Sequence, residues 1–318
     1  MKKLLIATTA LVSTAGFAAA EVALSGRAEM GVFRTTATDM QFFTDIDVTF
    51  TMSGETDNGL TFGASVDLDE GGAVSNATQN NADDGGATIF ISGGFGTVTM
   101  GDTDGALDWA LTEAGNVGNP GSLADDETTH AGYLGSYLDG ANDGQILRWD
   151  YTSGAFGVAV SLEDDNGSNV ASTGIGYAIG FKYALDLSGT TVNFGLGYQK
   201  AADAVGVAND VKATGLSVSA AFTNGLSAGV TYTDFKNHAS RDKHYSIGMG
   251  YTTGAISVHA NYGKFSGVTA AQDAKGFGVA AAYDLGGGAV VHFGYGSGKV
   301  NAAANSFKTA SFGLGLSF

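Results

Sequence analysis

The last ten residues, TASFGLGLSF (309–318), decide the fold. Ala310, Phe312, Leu314, Leu316 and Phe318 share one face of a two-residue repeat, and Thr309, Ser311 and Ser317 share the other. Such a strand suits a wall with lipid outside and water inside. At the opposite end Lys2 and Lys3 precede an apolar run from Leu4 to Val12, and Ala18 and Ala20 form an Ala-x-Ala pair. These are the three parts of a cleavable secretory signal, with Glu21 as the first mature residue. The expected organisation is a signal peptide over 1–20 and one barrel domain over 21–318.

After Glu21 no segment approaches the roughly 18 apolar residues that a membrane-crossing helix requires, so the mature chain is a soluble exported protein or a barrel. Removing 20 residues, two of them lysines, leaves 13 basic against 32 acidic side chains, a formal charge of −19. That balance argues against nucleic acid as a partner and favours cations. The chain has no cysteine, so neither a disulfide nor a thiolate metal site holds it together. Fifty glycines with one proline and no collagen period fit a glycine-rich β protein or a repeat solenoid.

Sixteen strand-like runs begin near Val22, Phe42, Leu60, Ala87, Gly96, Gln145, Phe156, Gly174, Thr190, Ala213, Leu226, His244, Ala255, Gly276, Ala289 and Lys308. The count is even, as a bacterial single-chain barrel requires. Short turns at 57–59, 93–94, 153–154, 186–189, 224–225, 253–254 and 286–288 alternate with longer, acidic connections such as 71–86, 164–172 and 201–210. Turns at one rim and loops at the other predict an antiparallel transmembrane β-barrel with short periplasmic turns and long outer loops; a solenoid would not alternate in this way.

Side-chain parity agrees. Ile46, Val48, Phe50 and Met52 oppose Asp45, Asp47, Thr49 and Thr51, while Leu147, Trp149 and Tyr151 oppose Arg148, Asp150 and Thr152. Trp149, Tyr183, Tyr251, Tyr262 and Tyr283 fall near run ends, where an interfacial girdle would sit. Pro120, the one proline, lies in the longest connection and removes no ladder donor. A soluble β-sandwich would show the same alternation, but the signal and the strand count favour the barrel.

LSGRAEMGV (24–32), FTMSGETDNGLTFGASVDLDE (50–70), FGTVTMGD (95–102), YTSGAFGVAVSL (151–162), YDLGGGAVVHFG (283–294) and the terminal FGLGLSF together resemble the alphaproteobacterial general porins. The resemblance implies a sixteen-stranded barrel, a homotrimer in the outer membrane of a Gram-negative bacterium, whose third outer loop folds inward as a constriction. One departure stands out. Such porins set an acidic inner loop against basic wall residues, whereas here no Lys or Arg occurs from Thr35 to Leu147, a stretch holding nineteen acidic residues. Arg27, Arg148 and Lys182 retain inward parity and are the wall candidates, with Asp45 and Asp47 beside them.

The connection 103–144 is too long for an ordinary link and reads as functional. Its start at a strand end and its apolar Leu107, Trp109, Ala110 and Leu111 predict a segment packed against the inner wall. Asp102, Asp104, Asp108 and Glu113 are then the constriction residues, where a low-dielectric wall focuses their field. Asp69, Glu70, Asp83, Asp84, Asp125, Asp126 and Glu127 offer hard oxygen ligands for structural calcium or for divalent bridges to lipopolysaccharide. They lack EF-hand or RTX spacing, so a solvated acidic rim is the leading reading. His259 and His292 read as polar residues lining the lumen.

No cysteine nucleophile, G-x-S-x-G or H-E-x-x-H is present, and no cofactor is expected. The sequence thus reads as a general diffusion porin: a water-filled, cation-preferring channel for small hydrophilic solutes, surrounded by outer-membrane lipid and lipopolysaccharide. The alternative is a substrate-selective channel with a saturable lumen site; an outer-membrane β-barrel enzyme is more remote.

Overall fold

The computed structural model describes residues 21–72, 86–125, 127–133, 146–163, 175–201 and 210–318; the signal-peptide expectation lies outside them. Sixteen antiparallel strands close into a barrel. They are β1 Glu21–Thr35, β2 Gln41–Glu55, β3 Thr61–Gly72, β4 Ala87–Gly93, β5 Gly96–Gly101, β6 Ile146–Ser153, β7 Phe156–Glu163 and β8 Gly176–Asp186. The second half comprises β9 Thr190–Lys200, β10 Lys212–Phe222, β11 Leu226–Lys236, β12 Arg241–Thr253, β13 Ile256–Gly267, β14 Ala274–Gly286, β15 Ala289–Lys299 and β16 Phe307–Ser317. Each starts within about three residues of its sequence expectation, inside the usual boundary error. The largest offset, at β12, has a local cause: the β12–β13 register shifts between Arg241 and Lys243, which breaks the alternation there.

Closure is made by β1 and β16, paired from Arg27–Ser317 to Thr35–Thr309. Phe318 N–H donates to Gly26 O at 2.9 Å, so the ladder runs to the last residue. No helix among the described residues is long and apolar enough to cross a membrane. The alternation falls as expected in β16, with Phe312 56% exposed and Thr309 and Ser311 buried inside. Outward Tyr151, Phe156, Tyr183, Tyr251 and Tyr283 ring the turn rim. Tyr177, Tyr232, Tyr245, Tyr262 and Phe277 ring the loop rim. The Leu226–Tyr251 and Tyr232–Tyr245 pairs are six residues apart on β11, roughly 20 Å along the strand.

The third outer loop leaves β5 at Asp102 and lies along the inner wall. Its short helix α1, Ala106–Ala110, has no side-chain N-cap; the wall supplies one, as Ala106 N–H donates to Ser161 Oγ on β7 at 2.9 Å. Leu107 and Leu111 insert into a buried cluster with Ala159, Ala178, Ala213, Phe235 and Phe265. Farther along, Thr112 N–H donates to Ser217 Oγ, Ala114 N–H donates to Thr231 Oγ1, and Thr231 Oγ1 donates to Thr112 O. Leu123 then packs on Phe33 and Phe43 of β1 and β2.

Close approach of the loop backbone demands a wall without side chains. At Gly248 of β12 a Cβ would collide with the Ala114 carbonyl, and at Gly263 of β13 with the Gly132 carbonyl. Glycine is the one residue that fits.

Histidines complete the fastening. His244 Nε2 donates to Gly132 O at 2.7 Å, His259 Nδ1 to Val117 O at 3.1 Å and His292 Nδ1 to Gly121 O at 3.2 Å. Asn261 donates to Thr128 O, which turns its Oδ1 to accept from His130 Nε2 at 2.7 Å and its amide to donate to His259 Nε2. His130 Nδ1 in turn accepts from Gly132 N–H. Each of the His130 and His259 rings therefore uses one nitrogen as donor and one as acceptor, a pattern only the neutral imidazole provides.

Two outcomes follow. Gly248→Val should push the loop from the wall at an overpacking cost of about 1–3 kcal/mol, leaving β content by circular dichroism intact but giving a noisier and larger single-channel conductance. Unchanged conductance would place the current path elsewhere. Burial holds the His130 imidazole below its ordinary value despite the Asn261 bond, and the other titratable ring beside it is His244. A lowered folded pKa means that the fastening is complete above the unfolded value of about 6.5 and weakens as pH falls below it. Open-channel noise compared at pH 7.5 and pH 5 should rise in acid; equal noise would contradict it.

Candidate functional site

Two groups of charged side chains face each other's part of the lumen. The first sits on the inner faces of β1–β3. Cross-strand register sets Arg27 beside Asp47 and Asp47 beside Asp69 in one row, with Glu29 beside Asp45 in the next and Thr49 beside Asp67 on the other side. Arg27 donates to Glu29, a short ion pair that engages this patch's one cation. Thr49 Oγ1 donates to Asp67 at 2.8 Å. Carboxylate oxygens of Asp45, Asp47 and Asp69 lie within 4.8 Å of one another. Five carboxylates share this wall with one guanidinium.

The second group stands where the loop leaves the barrel. Arg148 on β6 pairs with Asp150 at 3.2 Å, and its Nη1 donates to Asp104 O at 2.6 Å. Lys182 on β8 places its ammonium 3.4 Å from the Trp109 ring centre, in cation–π contact. Among the expected loop anchors, Leu107, Ala110 and Leu111 are buried, and half-buried Trp109 packs against the same cluster. Its ring is also the platform for Lys182.

Asp108, Thr112 and Glu113 are half-buried, whereas Leu107 and Leu111 are buried. Glu113 accepts from the Tyr133 hydroxyl and from Asn116 Nδ2 at 3.3 Å. Burial, and next the Glu113 charge, push the Tyr133 phenol above its ordinary range, so it remains a donor to the carboxylate. The constriction candidates thus divide into a pair at the root, Asp102 and Asp104, both exposed, and a pair farther in, Asp108 and Glu113, both half-buried.

Other expected sites fare differently. Asp69 belongs to the β2–β3 carboxylate row, whereas Asp83, Asp84 and Asp126 and the Glu70 side chain lie outside the described residues. Asp125 is exposed with a positive φ of 51°. Glu127 is fully buried under the loop, its carboxylate accepting from Ser122 Oγ at 2.5 Å, so it is not part of a solvated rim. His259, 4% exposed, does not line the lumen, since the loop covers it and takes its hydrogen bond, whereas His292, 5% exposed, donates to the loop at Gly121 and still borders an inner-wall cavity of about 360 Å³ shared with Arg27 and Ser317. Asp67 and Glu29 were absent from the sequence candidates although both share the inward parity of Asp69 and Arg27.

Residues 7–303 match the sequence pattern of Gram-negative porins. A porin of Rhodobacter capsulatus is 30% identical over 324 aligned positions, spanning 94% of this chain and 100% of that one. A solved porin structure refined at 1.8 Å superposes with a TM-score of 0.72 at 30% identity, over 94% of this chain and 100% of its own. A five-site mutant of Rh. blastica porin, 19% identical, shares the fold with a TM-score of 0.68 over 93% of this chain and all of its own. The chain belongs to the Gram-negative porin family, the non-enzymatic diffusion channels of the outer membrane.

Proposed function

We propose that this porin is a cation-preferring general diffusion channel, exported by the segment 1–20 and working as a homotrimer without a cofactor. The observation that carries the preference is the carboxylate row on β1–β3, whose one guanidinium is already engaged by Glu29. The loop track runs over β7 to β15 and reaches β1 and β2 at Leu123, so permeating ions pass between a loop bearing Asp104, Asp108 and Glu113 and a wall bearing Asp45, Asp47, Asp67 and Asp69. Low-dielectric walls on both sides concentrate cations in that passage. Small hydrophilic solutes follow the same aqueous route, limited by size.

The trimer rests on strand length. β5 has only 6 residues and β4 has 7. Six residues reach roughly 20 Å along the strand and less when tilted, short of an apolar band about 25 Å tall. Outward Ile89 and Met100, cross-strand partners on this low wall, are 67% and 53% exposed. Neighbouring barrels would cover them.

Reversal potentials in a potassium chloride gradient should show cation selectivity that falls as the Debye length shrinks from about 10 Å at 0.1 M to about 3 Å at 1 M. Asp45→Asn with Asp47→Asn and Asp69→Asn should remove most of it while leaving oligomer yield unchanged. Anion selectivity in dilute salt would refute the reading, and conductance saturating with one small solute would favour a lumen binding site instead. For the assembly, unboiled samples should migrate as a trimer on gels, and Ile89→Glu with Met100→Glu should yield folded monomers; a native chain that migrates as monomer before and after boiling excludes the trimer.

A further inference from the structure

Of the 13 basic residues beyond position 20, nine point outward at the loop rim, and they occupy nine consecutive barrel strands. On β9, β10 and β11, Lys200, Lys212 and Lys236 are direct cross-strand partners. Lys243 follows on β12, opposite Asp234. Lys264, Lys275 and Lys299 are again direct partners across β13, β14 and β15. Lys308 on β16 and Arg34 on β1 complete the arc, with Lys308 opposite Ser297 and Arg34 opposite Ala310. No outward basic residue occurs on β2–β8 among the described residues.

Two rows of lysines set directly opposite one another repel, and a chain with so few cations has no structural need to place them so. General snorkelling of lysine to an interface would distribute them around the whole rim rather than over one arc. The height is informative. Lys264, Lys243 and Lys275 lie two residues beyond Tyr262, Tyr245 and Phe277 on the same outward face, roughly 7 Å closer to the loop rim. That is the headgroup level above an aromatic belt.

Some of this charge is answered within the chain. Lys200 pairs with Asp210 at 2.9 Å, Lys236 with Asp234 at 2.8 Å and Lys264 with Asp273 at 2.7 Å, and the Lys264 bond holds the Asp273 carboxyl below its usual range. Lys212, Lys275, Lys299, Lys308 and Arg34 have no carboxylate within ion-pair distance among the described residues. Two cavities collect four of these five: one of about 180 Å³ holds Lys275 and Lys299 beside Asn301 and the Lys264–Asp273 pair, and one of about 380 Å³ lies between Arg34, Thr36, Tyr295 and Lys308.

We infer that the outer faces of β13–β16 and β1 bind the phosphate headgroups of outer-leaflet lipid directly, with the Lys264–Lys275–Lys299 cavity and the Arg34–Lys308 cavity as two phosphate seats. The inference rests on the outer-membrane channel reading, since it needs lipid against this face. It uses direct ammonium and guanidinium contact and needs no divalent bridge from the acidic loops.

The test uses the purified oligomer in neutral detergent, with diphosphoryl lipid A, dephosphorylated lipid A and inorganic phosphate as probes and native mass spectrometry as readout. Diphosphoryl lipid A should bind in the presence of EDTA, and the dephosphorylated form should not. Lys264→Gln with Lys275→Gln and Lys299→Gln should weaken binding at least about tenfold, and the three arginine replacements should restore it. Arg34→Gln with Lys308→Gln should remove a second bound lipid. If the triple variant does not give oligomer, Lys275→Gln with Lys299→Gln carries the same expectation. Retained binding in these variants, loss of binding in EDTA, or displacement by millimolar inorganic phosphate would each overturn the proposal. Conductance of the same preparations in phosphatidylcholine bilayers should be unchanged by the substitutions, so an inactive native channel would point to failure of the channel reading rather than of the lipid seats.

Discussion

In a bilayer an unpaired backbone N–H or C=O costs several kcal/mol, and the rest of this structure follows from meeting that requirement with strands. A sheet satisfies it only when closed, so β1 must find β16, and the terminal Phe318 donates to Gly26 rather than fraying. Closure fixes the parity of every strand at once: a one-residue slip would send Ser311 into lipid and Phe312 into water. Alternation in TASFGLGLSF is therefore a consequence of position in a closed wall.

Closure also creates an interior too wide for side chains of the wall to fill, and the third loop occupies part of it. The loop carries its own apolar face, Leu107 and Leu111, and an inner wall lined with polar residues gives that face few partners. Phe235 and Phe265, both inward, supply them, with small Ala159, Ala178 and Ala213 making room. Elsewhere the loop's backbone is the contact surface, and there the wall provides hydroxyls, imidazoles and bare glycine Cα atoms. The long loop and the glycine content are two sides of one packing arrangement.

Much of this was legible. Strand number, parity, the rim on which each connection lies and the inward path of the described part of the third loop, 103–125 and 127–133, all follow from period-two patterning and loop length, which depend on near neighbours in sequence. What escaped was cross-wall pairing. The glycine count gave no positions, whereas inward glycines such as Gly195 and Gly248 mark where the loop backbone touches the wall. His259 had the right parity for the lumen, but parity cannot tell an open lumen from a covered one. Trp109 packs with its apolar neighbours as expected, but its contact with Lys182 joins the loop to β8 and had no local signal. Glu127 reads as rim because its sequence neighbours are acidic, yet the loop there is pressed against the wall at Gly278, Gly294 and Gly296.

The distribution of charge has a physical consequence for the pore. A transverse field needs opposite charges on facing walls, but here most cations stand outside the barrel, and Arg27 inside is bound to Glu29. Arg148 and Lys182 gather at the loop root with Asp150, Asp104 and Trp109, a local cluster whose charges offset one another over a few ångströms. In the proposed cation-preferring channel, the field left to act on a permeating ion would come from the β1–β3 carboxylates and the loop acids, which carry the same sign on both sides of the proposed passage. Same-sign walls cancel transversely at the midline and add in potential, so on that proposal the ion would meet a negative well along the axis rather than a gradient across it. Such a well would sort solutes by the sign of their charge more than by their dipole.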